Sequence, residues 1–182
     1  MDHSNLTASP WVVRFAPLIP ANGPVLDLAC GRGRHATYLA DRGHPVIALD
    51  RNRDSLATLE GKKNIETMEV DLENDCSLNL GNRCFAGVIV TNYLFRPIFH
   101  LILSLINDHG VLIYETFAAG NERYGKPANP NFLLRQGELL DIVHPVLHVV
   151  SFEDGFVHKP RPSVVQRICA IKSSNDEPNK LG

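Results

Sequence analysis

The sequence predicts an α/β protein built on a doubly wound, seven-stranded sheet, mostly parallel and closed by a terminal antiparallel hairpin. Three observations carry this. Residues 25–50, VLDLACGRGRHATYLADRGHPVIALD, read as strand, glycine turn, helix and second strand ending in an acid. Further on, the apolar runs at 85–91 and 111–114 are separated by a helical pattern, as buried parallel strands should be. Last, the β-rich stretches 146–152 and 163–172 follow one another with no helix between them, which makes them antiparallel partners.

Taken in order, residues 1–8 carry no apolar pattern and are expected to be a flexible lead-in. Ser9 is placed to cap a helix with Pro10 in its first turn. Trp11, Val12 and Phe15 give that helix an apolar stripe, and Pro17 and Pro20 are expected to end it. Val25–Ala29 is the first strand, interrupted by the carboxylate of Asp27. In Cys30-Gly31-Arg32-Gly33, two glycines stand where the backbone must turn sharply and approach a ligand. Ala36, Leu39 and Ala40 then fall at helical spacing, and Gly43 stops the helix. The second strand is Val46–Leu49, with Asp50 at its carboxyl end. Asn52 or Asp54 opens a helix through Leu56 and Leu59 that closes around Gly61. Ile65–Val70 alternates as a short strand near the sheet edge, and Asp71 follows at once.

Residues 73–83 are polar and read as a loop with room for one helical turn. Phe85–Thr91 is the fourth strand, running into Asn92-Tyr93-Leu94-Phe95-Arg96-Pro97. The spacing of Ile98, Leu101, Ile102 and Leu105 predicts a helix over 97–106, broken at Gly110 before a fifth strand, Val111–Tyr114. Glu115-Thr116-Phe117 stands at the end of that strand. The segment AAGNERYGKPANPNF (118–132) is a Gly-, Pro- and Asn-rich loop of the length usually reserved for functional lids. It is expected to close over a crevice at the carboxyl ends of the strands, with Tyr93, Arg96, Glu115 and Phe117 near the floor. Leu139, Leu140 and Val143 share one face of the last helix. About a dozen polar, Pro and Gly residues separate the two terminal strands, and 173–182 is expected to be a disordered tail. There are no repeats, and 9–172 forms a single domain.

With 182 residues, 44% of them hydrophobic, the chain has enough apolar material for one core. Its 18 basic and 20 acidic residues leave no basic field, which argues against nucleic acid as partner. The N-terminus has no apolar segment resembling a signal peptide, and no run approaches the roughly 18 apolar residues of a membrane span. The four cysteines (Cys30, Cys76, Cys84 and Cys169) have neither disulfide nor metal spacing, so free thiols in a reducing cytoplasm are expected. His144 and His148 have the i, i+4 spacing of a zinc helix, but Pro145 between them disrupts it, and no metal site is predicted.

Gly31-x-Gly33-x-x-Ala36, with an acid about 20 residues beyond the strand, is a Rossmann-like nucleotide fingerprint. Asp27 selects among nucleotides. A pyrophosphate on the glycine loop would be repelled by a carboxylate beneath it, whereas a ligand carrying an ammonium and a sulfonium would be welcomed. That ligand is S-adenosylmethionine. Asp50 would accept hydrogen bonds from ribose hydroxyls in either case and does not discriminate.

The pattern hydrophobic-Asp27-hydrophobic-x-x-Gly31-x-Gly33, with Asp50 and Asp71, resembles the class I S-adenosylmethionine-dependent methyltransferases over residues 10–172. The GRGRHA loop is similar to that of small bacterial members of the tellurite-resistance type. The terminal hairpin is the usual ending of that family's sheet, whereas nicotinamide enzymes usually close with a parallel strand. The resemblance implies that Asp27, Ala29, Gly31, Gly33, Asp50, Arg51, Asp71, Leu72 and Asn92 hold the cofactor, Asp71 by approaching the adenine amino group. It also implies methyl transfer near Asn92 and Tyr93, to a small-molecule acceptor that the sequence does not identify. Candidate bases are Tyr93, Glu115 and His100, and a base is needed only if the acceptor arrives protonated. A helix over the crevice would bring Trp11 and Arg14 near the ligand unless they only pack. His35 is either near the cofactor or an exposed first-turn residue, and Arg32, Arg34, Arg51 and Arg53 are read mainly as solvated surface. Two rivals stand beside this reading: a cofactor-binding module without catalysis, and an NAD(P)-dependent oxidoreductase. Oligomeric state is not legible.

Overall fold

A computed structural model describes residues 7–74, 80, 81 and 83–173. The seven strands are β1 (Val25–Leu28), β2 (Val46–Asp50), β3 (Ile65–Glu69), β4 (Phe85–Thr91), β5 (Ile106–Phe117), β6 (His148–Val157) and β7 (Ser163–Ile171). They form one sheet in the order β3-β2-β1-β4-β5-β7-β6. The first five are parallel, while β7 runs antiparallel between β5 and β6, so the expected terminal hairpin is present.

Strand periodicity divides the core into two layers. Leu26, Leu28, Ile47, Leu49, Val88 and Val90 point to one face, beneath α4 (Phe99–Ser104) and α5 (Glu138–Val143). Val25, Val46, Ala48, Ile89 and Ile113 point to the other, beneath α1 (Pro10–Phe15), α2 (Arg34–Ala40) and α3 (Arg53–Ala57). All seven residues of β4 are buried, as its unbroken apolar run requires. Burying one such Leu or Ile contributes about 1.5–3 kcal/mol.

The helix starts follow their caps. Ser9 Oγ accepts from Trp11 N (3.2 Å), with Pro10 in the first turn, and Asn52 Oδ1 accepts from Ser55 N (2.9 Å) to open α3. α1 ends at Phe15, two residues before Pro17. The chain tightens into a 3-10 turn, Ala16–Leu18, before turning out.

Three expected boundaries are corrected. The helix expected over 97–106 is a 3-10 turn (Arg96–Ile98) followed by α4, which ends at Ser104. β5 already begins at Ile106, pairing with Phe85. The register then slips so that Gly87 faces Val111, and residues 107–110 bulge out. Gly110 permits this, because a Cβ there would lie 2.8 Å from Phe85 O. At the far edge, β6 continues through Glu153–Val157, part of the stretch expected to be loop. Glu153 pairs with Arg167 across the hairpin, so its charge is matched within the sheet. The expected lead-in (1–8) and tail (173–182) fall almost wholly outside the described residues, as do Cys76 and most of the 73–83 loop.

Candidate functional site

A crevice of about 360 Å³ lies at the carboxyl ends of the parallel strands. Each strand contributes what its end exposes: Ala29 after β1, Leu49, Asp50 and Arg51 from β2, and Val70, Asp71, Leu72 and Glu73 after β3. Asn92, Tyr93 and Leu94 follow β4, Thr116 and Phe117 end β5, and Pro127 and Phe132 come from the long loop. Of the residues singled out in the sequence, Ala29, Asp50, Arg51, Asp71, Leu72, Asn92, Tyr93 and Phe117 are brought together here. Asp27, Gly31 and Gly33 are not on its surface, and they shape it from beneath.

The turn after β1 is made by backbone geometry. Ala29, Gly31 and Gly33 all have positive φ (53°, 55° and 69°). For glycine this is free, but for Ala29 it stores strain of the kind that collects at functional sites. Asn92, across the crevice at the end of β4, is also left-handed at φ 55°, a conformation asparagine tolerates better than alanine. A Cβ at Gly33 would lie 2.3 Å from the Leu59 side chain, so glycine lets α2 and the segment after α3 close together.

Three carboxylates hold this frame. Asp50 Oδ2 accepts from Gly31 N (2.7 Å) and its Oδ1 from Asn52 N (2.8 Å), which ties the β1 turn to the β2 turn. Each oxygen retains a lone pair for a ligand. Asp71 Oδ1 accepts from Glu73 N (3.0 Å) and Oδ2 from Asn74 Nδ2 (2.9 Å), and these bonds hold its carboxyl below the usual range. Asp27 differs. Its Oδ2 accepts from Ala36 N (2.9 Å) in the first turn of α2, while Oδ1 is buried with no partner. Burial pushes its pKa up to about 7, against the pull of the Ala36 N–H and of Arg34.

The opposite wall is held by side chains from afar. Arg96 Nε and Nη2 donate to the two oxygens of Glu138 (2.6 and 2.9 Å), and Nη1 and Nη2 donate to Asn131 O and Leu133 O (2.8 and 2.9 Å). Burial alone would raise the Glu138 pKa, but Arg96 and the Arg135 N–H groups bring it down to about 2. Buried Asn121 spans the other end of the loop, donating to Pro127 O (3.0 Å) and accepting from Val164 N (3.2 Å). Arg96 is therefore a brace behind Phe132 and not, as expected, part of the crevice floor.

The remaining candidates lie elsewhere. Glu115 is not on the crevice surface; it accepts from Ser9 Oγ (2.7 Å) and pairs with Arg167 (3.3 Å), tying α1 to β5 and β7. His100 is exposed on α4 and away from the crevice lining. Trp11 is buried, donating from Nε1 to Ile168 O (3.2 Å), and Arg14 stacks on Trp11 and Phe15 and pairs with Glu153. His35 is buried, not exposed. Ser9 N–H donates to its Nε2 (3.2 Å), which leaves the ring proton on Nδ1 facing Thr91 Oγ1 at 3.3 Å. Burial lowers its pKa to about 3, so the ring is neutral. Arg32, Arg51 and Arg53 are exposed, and Arg34 is half-buried. His144 caps α5 and His148 opens β6, both exposed. Among the described residues, no group of three or more His, Cys, Asp or Glu is placed to hold a metal.

Leu49, Val70, Glu73, Leu94, Thr116, Pro127 and Phe132 were not foreseen as site residues. The first five follow once the strand ends are known to converge. Pro127 and Phe132 belong to the loop 118–132 that the sequence placed over the crevice; its Gly, Pro and Asn content marked the segment, and only its folding back selects these two residues.

Comparison with known proteins agrees with this architecture. The family model "Tellurite resistance protein TehB" matches residues 2–99. A curated relative from Haemophilus influenzae (strain 10810), the "Probable S-adenosyl-L-methionine-dependent methyltransferase TehB", is 38% identical over 110 residues. The match takes in 58% of this chain but only 38% of that protein. The crystal structure of TehB from Haemophilus influenzae superposes with a TM-score of 0.74 at 22% identity, covering 91% of this chain and 63% of that one. The glycopeptide N-methyltransferase MtfA, solved with S-adenosyl-L-homocysteine, gives a TM-score of 0.63 at 15% identity, covering 94% and 93%. At these identities the structural likenesses establish the fold. No helix among the described residues is long and apolar enough to cross a membrane.

Proposed function

The chain belongs to the tellurite resistance protein TehB family, and on that premise we propose that it is an S-adenosylmethionine-dependent methyltransferase acting on a small-molecule acceptor. The observation that carries this reading is the pairing of Asp27 with the crevice. A buried carboxylate with one unpartnered oxygen underlies the glycine turn, while Asp50 and Asp71 keep free lone pairs on the crevice surface. This set of acceptors suits a cationic adenosyl ligand and would repel a pyrophosphate, which speaks against a nicotinamide cofactor. The crevice volume lies within the range of small-molecule sites.

In this reading Asp50 accepts from the ribose hydroxyls, Asp71 from the adenine amino group, and Leu49, Val70 and Leu72 supply apolar wall. The turn at Ala29–Gly33 brings backbone close to the amino-acid end, with the Asp27 carboxyl behind it, which a cationic ligand would draw toward its ionised form. The bound cofactor supplies an already activated methyl electrophile. The protein is left to orient the acceptor and exclude water. Phe117, Pro127 and Phe132 form a largely apolar wall for the acceptor, braced by Arg96 and Asn121. Neither Glu115 nor His100 lines the crevice, and of the three candidate bases only Tyr93 does.

Calorimetry tests the reading. S-adenosylmethionine and S-adenosylhomocysteine should both bind, and NAD and NADP should not. Tighter binding of a nicotinamide cofactor would overturn it. A screen of small acceptors with methyl-labelled cofactor then separates an enzyme from a silent binding module.

A further inference from the structure

Two buried side-chain polar atoms among the described residues lack a hydrogen-bond partner: Asp27 Oδ1 and the Tyr93 hydroxyl. The first lies in β1, beneath the glycine turn. The second has no structural purpose in the free chain, since a buried, unpaired hydroxyl is a cost that phenylalanine would avoid. Tyr114 makes the contrast. It is the fully buried tyrosine of this layer, beside the half-buried Tyr93, and its hydroxyl donates to Tyr93 O at 2.8 Å.

We propose that Tyr93 is the ligand-responsive residue of the crevice: its phenol, unpaired in the free chain, turns to donate a hydrogen bond to the bound adenosyl ligand. The inference rests on the reading of the crevice given above. Three features of the geometry support it. Tyr93 lines the crevice directly after β4, beside the left-handed Asn92. Its backbone is pinned, through the Tyr114 bond and through Asn92 N donating to Glu115 O (2.9 Å), so the ring can move without dragging the strand end. Tyr93 shares the crevice lining with Asp50 and Asp71, the acids assigned above to the ribose and the adenine. Burial and the neighbouring carboxylates push the phenol pKa above its ordinary value. It therefore remains protonated and acts as a donor, not as the base considered from the sequence.

Tyr93→Phe tests this with S-adenosylhomocysteine as the probe. Thermal unfolding without ligand should show the variant more stable than the wild type by a few degrees, because an unsatisfied hydroxyl is gone. Calorimetry should show S-adenosylhomocysteine bound about three- to tenfold more weakly, the loss of one hydrogen bond. A structural tyrosine would instead lose stability and keep its affinity. Either a lowered unfolding temperature or an unchanged affinity overturns the proposal. A wild-type chain that fails to bind S-adenosylhomocysteine overturns the reading of the crevice itself, a distinct result.

Discussion

The two walls of the crevice are built by different means. The wall from β1, β2 and β3 is a backbone construction: positive φ at Ala29, Gly31 and Gly33, and carboxylates bonded to N–H groups nearby in sequence or on the adjoining strand. The wall from the long loop is a side-chain construction. Arg96 reaches Glu138, Asn121 reaches Val164, and the buried Gln166 accepts from Leu139 N and donates to Arg135 O. The first kind tolerates little change in residue type but forms locally. The second forms only when distant segments are already in place, and it can be dismantled one side chain at a time.

The largest expected effect is on the first wall. Folded Asp27 has its pKa raised from 3.8 to about 7, so the folded chain favours the protonated acid. The stability this gives is fully present below pH 3.8 and is lost as pH rises through about 7. Asp27→Asn keeps an acceptor for Ala36 N and has no proton to lose. Relative to the wild type it should gain stability between these limits, by about 1.4 kcal/mol per pH unit at most. Denaturant unfolding at pH 4.5 and pH 8 measures the difference. Equal gains at both values would show that Asp27 is not held in its neutral form. The same variant should bind S-adenosylmethionine weakly at every pH, whereas wild-type affinity should rise as Asp27 ionises.

The second wall should respond next. Glu138→Gln leaves Arg96 and the Arg135 N–H groups without their carboxylate, and should destabilise the fold by about 2–3 kcal/mol, the low side for a buried pair because Arg96 is 34% exposed. Cofactor affinity should change far less than stability. A comparable fall in affinity would mean that the two walls are not independent.

Asp50→Ala reverses that pattern. Losing two charge-assisted bonds to ribose should weaken binding at least tenfold. Stability should fall by about 1 kcal/mol, since Gly31 N and Asn52 N can turn to water. An unchanged affinity in calorimetry would remove Asp50 from the site. The smallest effect on cofactor binding is expected at Asn121. Asn121→Ala breaks the bonds to Pro127 O and Val164 N, costing about 1–2 kcal/mol. Protease should then cut within 120–129 sooner than in the wild type, and an unchanged cleavage rate would show that Asn121 does not hold the loop.

The sequence by itself determined the sheet, the glycine turn and the acids at the strand ends. These depend on short-range rules: apolar runs at strand length, φ values that favour glycine, caps a few residues from their partners. Ser9, Asp50 and Asp71 were legible for that reason. Boundaries set by pairing were not. Ile106 looks like the end of an apolar helix until Phe85 lies beside it, and Glu153 looks like loop until Arg167 matches its charge across the hairpin. Only the tertiary structure decided that His35 is buried and neutral and that Glu115 is a tie between α1 and the sheet. It also placed Arg96 behind the wall instead of on it, and left Tyr93 with an unpaired hydroxyl. Each outcome depends on which group lies within about 3 Å of a side chain. When that group comes from more than 40 residues away, as Glu138 does for Arg96, the spacing along the chain carries no trace of it.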